Sequence, residues 1–190
     1  MIKKCGYVAI SGPTNSGKST LLNAIFDKKI SIVSHKVQTT LKSLDAVKNY
    51  NDTQIVFIDT PGFYQKKNDA NYFKDVLASI DRSDLLLVIL DVTSKFYYLD
   101  QIEKIINKYK KNKFLIINKI DLVDNDYILK KISEIKFIES FDAIFYLSAL
   151  KKKNIKKLLD KISDLLPVQE WIYKKNNSTN ISKEIFLAEI

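Results

Sequence analysis

Apolar residues in this chain follow two rhythms. Compact apolar runs at 7–11, 44–47, 55–59, 85–91, 114–118 and 143–147 read as six strands, and the runs at 85–91 and 114–118 are so continuous that both faces must be buried. Between them the spacing changes to that of a helix. A helix is expected over 19–26. Ile102, Ile105, Ile106 and Tyr109 fall on one helical face, and so do Ile155, Leu158, Leu159, Ile162 and Leu166. Pro167 stops the last helix, and Asn154 is placed to cap it. Strands alternating with helices predict an α/β protein with a three-layer arrangement: a six-stranded, mostly parallel sheet carrying helices on both faces.

Two stretches, 28–41 and 61–71, lack either rhythm. After Pro167 the chain turns polar, with Asn176, Asn177, Ser178 and Thr179 in a row, before a short capped helix over 183–190. We therefore expect a core domain over 1–167 and a linker with the start of a further helix over 168–190.

Composition adds little to the functional picture. The chain has 190 residues and a net charge of +9, yet Arg82 is its only arginine, so the basicity rests on lysine. Lys, Ile and Asn are all heavily used, which makes the charge weak evidence for nucleic-acid binding. The densest basic cluster, Lys151, Lys152, Lys153, Lys156 and Lys157, reads as a solvated helix end. The aromatic run Phe96, Tyr97 and Tyr98 reads as packing. Cys5 is the sole cysteine, which excludes an internal disulfide, and no apolar run reaches the ~20 residues of a membrane span. The expected location is cytoplasmic, with peripheral membrane association as an additional possibility.

The chemistry lies at strand ends. Gly12-Pro13-Thr14-Asn15-Ser16-Gly17-Lys18-Ser19 follows the first strand and opens the first helix, the context in which the G-x-x-x-x-G-K-S spacing binds phosphate. Backbone N–H groups of the loop and of the helix N-terminus, reaching to Ser16 and Thr20, point at phosphate oxygens. Lys18 reaches the β- and γ-phosphates, and the Ser19 hydroxyl faces a Mg2+ ion. Asp59-Thr60-Pro61-Gly62 closes the third strand, with Asp59 placed to hold the metal and the Gly62 N–H to approach a γ-phosphate. Asn118-Lys119-Ile120-Asp121 closes the fifth strand. A carboxylate at Asp121 accepts from guanine N1–H and the 2-amino group together, a pairing adenine does not offer. Ser148-Ala149-Leu150 follows the sixth strand, where the Ala149 N–H would meet guanine O6.

In order and context these four segments resemble those of the P-loop GTPases, and the likeness narrows further. The stretch Ser31-Ile32-Val33-Ser34-His35-Lys36-Val37-Gln38-Thr39-Thr40 resembles the first switch of the Era family, as do the run from Gly17 to Asn23 and the tail 180–190. The resemblance implies a P-loop NTPase fold with five helices and a GTP- and Mg2+-dependent hydrolase. It further implies a role in small ribosomal subunit assembly, with RNA bound mainly through a C-terminal KH domain that this sequence does not contain. Thr40 would close on Mg2+ and γ-phosphate, and Asn15 would hold a K+ ion beside the phosphates. Leu41 stands where the family usually has arginine. Phe63 stands where many GTPases carry a water-positioning glutamine, so intrinsic hydrolysis should be slow. His35 is read as a loop residue. A nucleotide-sensing scaffold with negligible turnover and a tRNA-modification-type GTPase both remain open on the sequence alone, as does the oligomeric state.

Overall fold

A computed structural model describes residues 2–26, 31–33, 45–59, 77–78 and 80–173. In chain order the elements are β1 (Lys4–Ser11), α1 (Lys18–Phe26), β2 (Ser31–Val33), β3 (Asp45–Tyr50), β4 (Thr53–Asp59), β5 (Leu85–Asp91), α2 (Leu99–Lys108), β6 (Asn112–Asn118), α3 (Asn125–Ile132), β7 (Ala143–Tyr146) and α4 (Ile155–Leu165). Single 3-10 turns occupy Ile120–Leu122 and Ile138–Ser140. The strands form one sheet in the order β2-β3-β4-β1-β5-β6-β7. Pairing from β4 through β7 is parallel, and β2 and β3 add antiparallel at one edge.

All six expected strands are present. The sheet also has a seventh, β2, whose three residues fall inside the stretch 28–41 that showed no rhythm. A three-residue strand is too short to display alternation, so only its pairing with β3 reveals it.

The continuous apolar strands divide their side chains between two cores. Leu85, Leu87 and Ile89 face α1 and α4 with Val8, Ile10, Ile55, Phe57, Phe114 and Ile116. Leu86, Val88 and Leu90 face the other way, toward Ile102, Ile105 and Ile106 of α2, with Leu115 and Ile117. The period of two along a strand enforces this split, which is why a doubly covered strand loses its polar positions. Emptying one such site, as in Leu87→Ala, should cost about 3 kcal/mol. Phe96 and Tyr98 pack at the margin of the second core, while Tyr97 is exposed.

Two local expectations need correction. Asn154 precedes α4 but makes no side-chain cap; it sits in left-handed backbone at φ 65°. Its amide instead donates to Tyr146 O at 2.7 Å. The chain after α4 also does not leave the body at Pro167. Cys5 N donates to Pro167 O, Gln169 N to Lys3 O and Gln169 Nε2 to Cys5 O, and Tyr173 is buried with Cys5 and Val56. The expected helix over 183–190 lies outside the described residues.

Candidate functional site

Five parallel strands end on the same edge of the sheet, and the described residues among those singled out in sequence lie at those strand ends and on the loops that leave them. β1 stops at Ser11 and the loop to α1 turns on two glycines. Gly12 has φ +156°, and a Cβ on it would lie 2.3 Å from Ile89 O. Gly17 has φ +98°, and a Cβ there would lie 2.2 Å from Asn118 Nδ2. Both positions exclude a side chain by conformation and by space. Asn15 between them is exposed and left-handed at φ 62°. This backbone path turns the loop into a cradle, and α1 continues from it through Leu21 N donating to Gly17 O at 2.8 Å.

Lys18 folds back over the cradle, its ammonium donating to Gly12 O at 3.1 Å and to Pro13 O at 2.8 Å. A cation is thus held at the centre of a ring of backbone dipoles, ready to exchange carbonyl oxygens for phosphate oxygens. Ser19 is exposed and Thr20 half-buried on the first turn of α1. Ser16 is buried, and its Oγ has no partner among the described residues, so its contribution to an anion comes from the main chain. The Cα of Asp59, last in β4, pairs with that of Ile10, two residues before Gly12, which brings the end of β4 beside the cradle. Thr40 and Gly62, together with His35, Leu41 and Phe63, lie outside the described residues.

Asn118 is the link between the cradle and the remaining loops. It is buried, and its Nδ2 donates to Ser16 O at 2.9 Å while its Oδ1 accepts from Ala149 N at 3.0 Å. One amide therefore ties the phosphate loop to the 148–150 loop, across 102 residues on one side and 31 on the other. This bond also revises the expected role of Ala149: its N–H is donated to Asn118, so a contact with guanine O6 requires that donor to be shared. Lys119 is left-handed at φ 64° and leads into the 3-10 turn that exposes Asp121. Ile120 N donates to Leu147 O at 3.4 Å, tying this turn to the end of β7. Ser148 is buried and its Oγ accepts from Lys151 N at 3.0 Å, whereas Leu150 is exposed and offers mainly backbone.

One participant was not anticipated. Asp91, last in β5, accepts from Lys119 Nζ at 2.6 Å and through its other carboxylate oxygen from Thr93 N and Thr93 Oγ1. Its only signal in sequence is an acid at the end of an apolar strand, on the same edge as the others.

The residues fit a guanine nucleotide with a divalent ion. Gly12 and Gly17 leave no room for side chains in the cradle, Lys18 lies against two of its carbonyls, and the exposed carboxylate of Asp121 has no bonded partner among the described residues, as a base with two adjacent donors requires.

Comparison with known proteins places the chain among GTPases. The family described as 50S ribosome-binding GTPase matches residues 7–119. GTPase Era of Ehrlichia canis is 35% identical over 99% of this chain and 64% of its own length. GTPase Era of Campylobacter jejuni subsp. doylei is 38% identical over 96% of this chain and 64% of its own. Among solved structures, Era in complex with MgGDPNP and nucleotides 1506–1542 of 16S ribosomal RNA superposes with a TM-score of 0.78 at 34% identity, covering 97% of this chain and 64% of that one. A tyrosine-to-alanine variant of Aquifex aeolicus Era bound to GDP.AlF4- superposes with a TM-score of 0.73 at 35% identity, covering 94% of this chain and 62% of that one. The chain thus spans a little under two thirds of the length of these relatives.

Proposed function

The chain belongs to the family described as 50S ribosome-binding GTPase and matches Era proteins along nearly all its length; from that premise we propose that it binds GTP with Mg2+ and hydrolyses it to GDP and phosphate, as a switch in assembly of the small ribosomal subunit. The observation that carries the reading is the pair of hydrogen bonds at Asn118, donated to Ser16 O and accepted from Ala149 N, which ties a phosphate cradle to a base-reading loop. An adenine nucleotide would leave Asp121 facing an acceptor, and an unpaired buried contact of this kind discriminates strongly.

Residues 1–167 act as the GTP-binding domain, with 168–173 packed back onto it. Loop N–H groups and Lys18 hold the phosphates, and Ser19, Thr40 and Asp59 hold Mg2+. Bound there, the ion would supply charge neutralisation at the phosphates. The Gly62 N–H would meet the γ-phosphate. Phe63 offers no hydrogen bond to water, so turnover is slow. A K+ ion at Asn15, on the rim of the cradle, would stabilise transition-state charge. The choice of the small subunit rests on the 16S RNA bound by the solved relative, which outweighs the broader family description. We place the protein in the cytoplasm. Among the described residues no helix is long and apolar enough to cross a membrane, and no observation speaks for peripheral membrane association.

The test is steady-state phosphate release from GTP in K+ and in Na+, with Asp121→Asn as control. Turnover that rises in K+ and drops in the variant supports the base contact and the role of Asn15. Equal rates in both salts remove the K+ site. Tight GTP binding without turnover in either salt favours a nucleotide-sensing scaffold.

A further inference from the structure

The lysine cluster that the sequence suggested was a mere solvated helix end has a more definite structure. Between Asp142 and Asp160 the chain carries five lysines and no acid. Three of them, Lys151, Lys152 and Lys153, are consecutive and exposed on the turn that joins β7 to α4. That turn is closed on itself. Ser148 N donates to Lys153 O at 3.3 Å, Lys153 N to Ser148 O at 3.0 Å and Lys152 N to Ala149 O at 3.3 Å. Lys151 N donates to Ser148 Oγ at 3.0 Å, and Asn154 Nδ2 fixes the exit by donating to Tyr146 O. Lys152 and Asn154 both take left-handed backbone, at φ 54° and 65°. A lysine in that region is uncommon, and the ring of bonds around it is what holds the conformation.

The lysines at the opposite end of the sheet behave differently. Lys111 Nζ donates to Asp81 O and Ser83 O, Lys113 Nζ to Tyr109 O and Lys111 O, and Lys110 Nζ to Asn107 O. Those ammonium groups serve the fold. On the 151–153 turn, the ammonium groups of Lys151 and Lys153 have no protein acceptor among the described residues, and Lys156 has only a distant ion pair with Asp160 at 3.9 Å. Beside them the edge strand β7 exposes Tyr146, and Leu150 is 73% exposed.

We infer that the 151–153 turn, with Lys156 and Lys157 on the first turns of α4, is a surface for the phosphodiester backbone of RNA, placed next to the loop that reads guanine. The inference rests on the ribosomal reading proposed above. Lysine ammonium groups are compact point charges that meet phosphate oxygens without a fixed geometry, and five of them in a stretch without an acid match the closely spaced charges of a phosphodiester chain rather than single acidic side chains. Because Lys151 N and Lys153 bond directly to Ser148, a phosphate that draws on the turn acts on the residues flanking Ala149. RNA contact and guanine nucleotide exchange are thereby coupled through one loop.

The test compares Lys151→Glu/Lys152→Glu/Lys153→Glu with a charge-matched control at exposed lysines elsewhere, Lys104→Glu/Lys130→Glu/Lys136→Glu, in binding of a fluorescent single-stranded RNA 12-mer by anisotropy. A neutral triple, Lys151→Gln/Lys152→Gln/Lys153→Gln, removes the charge with less risk to the turn. The turn variants should lose at least tenfold in affinity at low salt and flatten the slope of log K against log salt by about 2, from roughly 0.7 per lost phosphate contact. The control should lose less than threefold. Equal losses in both triples would mean a diffuse charge effect and overturn the proposal. So would a turn variant that keeps RNA but loses a polyglutamate peptide, which would make the surface a protein site. GTP turnover without RNA is measured alongside: a chain that turns over GTP normally while RNA binding is indifferent to the turn loses this inference and keeps the GTPase reading.

Discussion

Lys119 Nζ lies 2.6 Å from Asp91 Oδ2, and register sets the two side by side: the Cα of Asp91 is matched across β5 and β6 with that of Asn118, the residue before Lys119. The ion pair fixes a lysine whose backbone is already left-handed and which opens the turn to Asp121. Asp91 is a positioning residue in this arrangement, acting on the base loop through Lys119.

Replacing Asp91 by Ala should therefore speed release of GDP about tenfold, since a hydrogen bond to a charged partner contributes roughly 1.5–3 kcal/mol and partial exposure of Lys119 reduces that. Asp91→Asn keeps an acceptor for Lys119 and should show a smaller effect. Displacement of a fluorescent GDP by unlabelled nucleotide measures both rates. Unchanged release in Asp91→Ala would leave the ion pair without a role in the site.

Asn118→Ala removes both bonds that join the cradle to the 148–150 loop and leaves the Ala149 N–H buried and unpaired. The penalty for such a group is about 1–3 kcal/mol. GDP affinity should fall at least tenfold in calorimetry. Gly17→Ala should reach the same loss from the other side, because its new methyl would occupy the position of Asn118 Nδ2. Wild-type affinity in either variant would refute the bracing role.

These two residues also show where a sequence is readable. The glycine spacing from Gly12 to Gly17 is legible because the constraint is local: a phosphate cradle needs that backbone path within eight residues. Asp91 was not legible, because an acid at the end of an apolar strand acquires its meaning only when β5 and β6 pair in register. The same holds for α3, which escaped the periodicity because only Ile128 and Lys131 along it are buried, too few to make a stripe. Its Asp124 cap, accepting from Tyr127 N at 2.8 Å, was the one local sign available. Asn154 failed in the opposite way: a residue type that favours caps was present, but the left-handed turn before α4 claimed it.

Tyr50 makes stability depend on alkaline pH. Its hydroxyl donates to Asp160 Oδ1 at 2.5 Å, joining the β3–β4 turn to α4, and that bond with burial pushes the phenol up to about 12. A raised phenol favours the protonated form in the folded state. The stabilisation is complete below the ordinary tyrosine value near 10 and is lost as pH rises toward 12. Thermal melts of wild type and Tyr50→Phe should therefore differ at pH 8, with the gap narrowing from about pH 10 and closing only as pH passes about 12. A constant difference across that range would show that the bond does not titrate as stated.

The segment after α4 can be followed through Cys5. That thiol is fully buried, and desolvation pushes it up from its ordinary value, so its reactive thiolate is scarce as well as hidden. What covers it is the chain at 167–173, held by Gln54, whose buried amide accepts from Tyr173 N and donates to Tyr173 O, each at 2.9 Å. Trp171 Nε1 adds a bond to Asp52 O at the β3–β4 turn. A thiol reagent at pH 8 should label native Cys5 at least a hundredfold more slowly than the unfolded chain. Gln54→Ala frees both ends of that clamp and should raise the native rate about tenfold while GDP affinity stays unchanged, because Gln54 lies at the far end of β4 from Asp59. If native Cys5 reacts as fast as an unfolded thiol, segment 167–173 does not lie on the sheet in solution, and the polar stretch that follows it begins at Pro167.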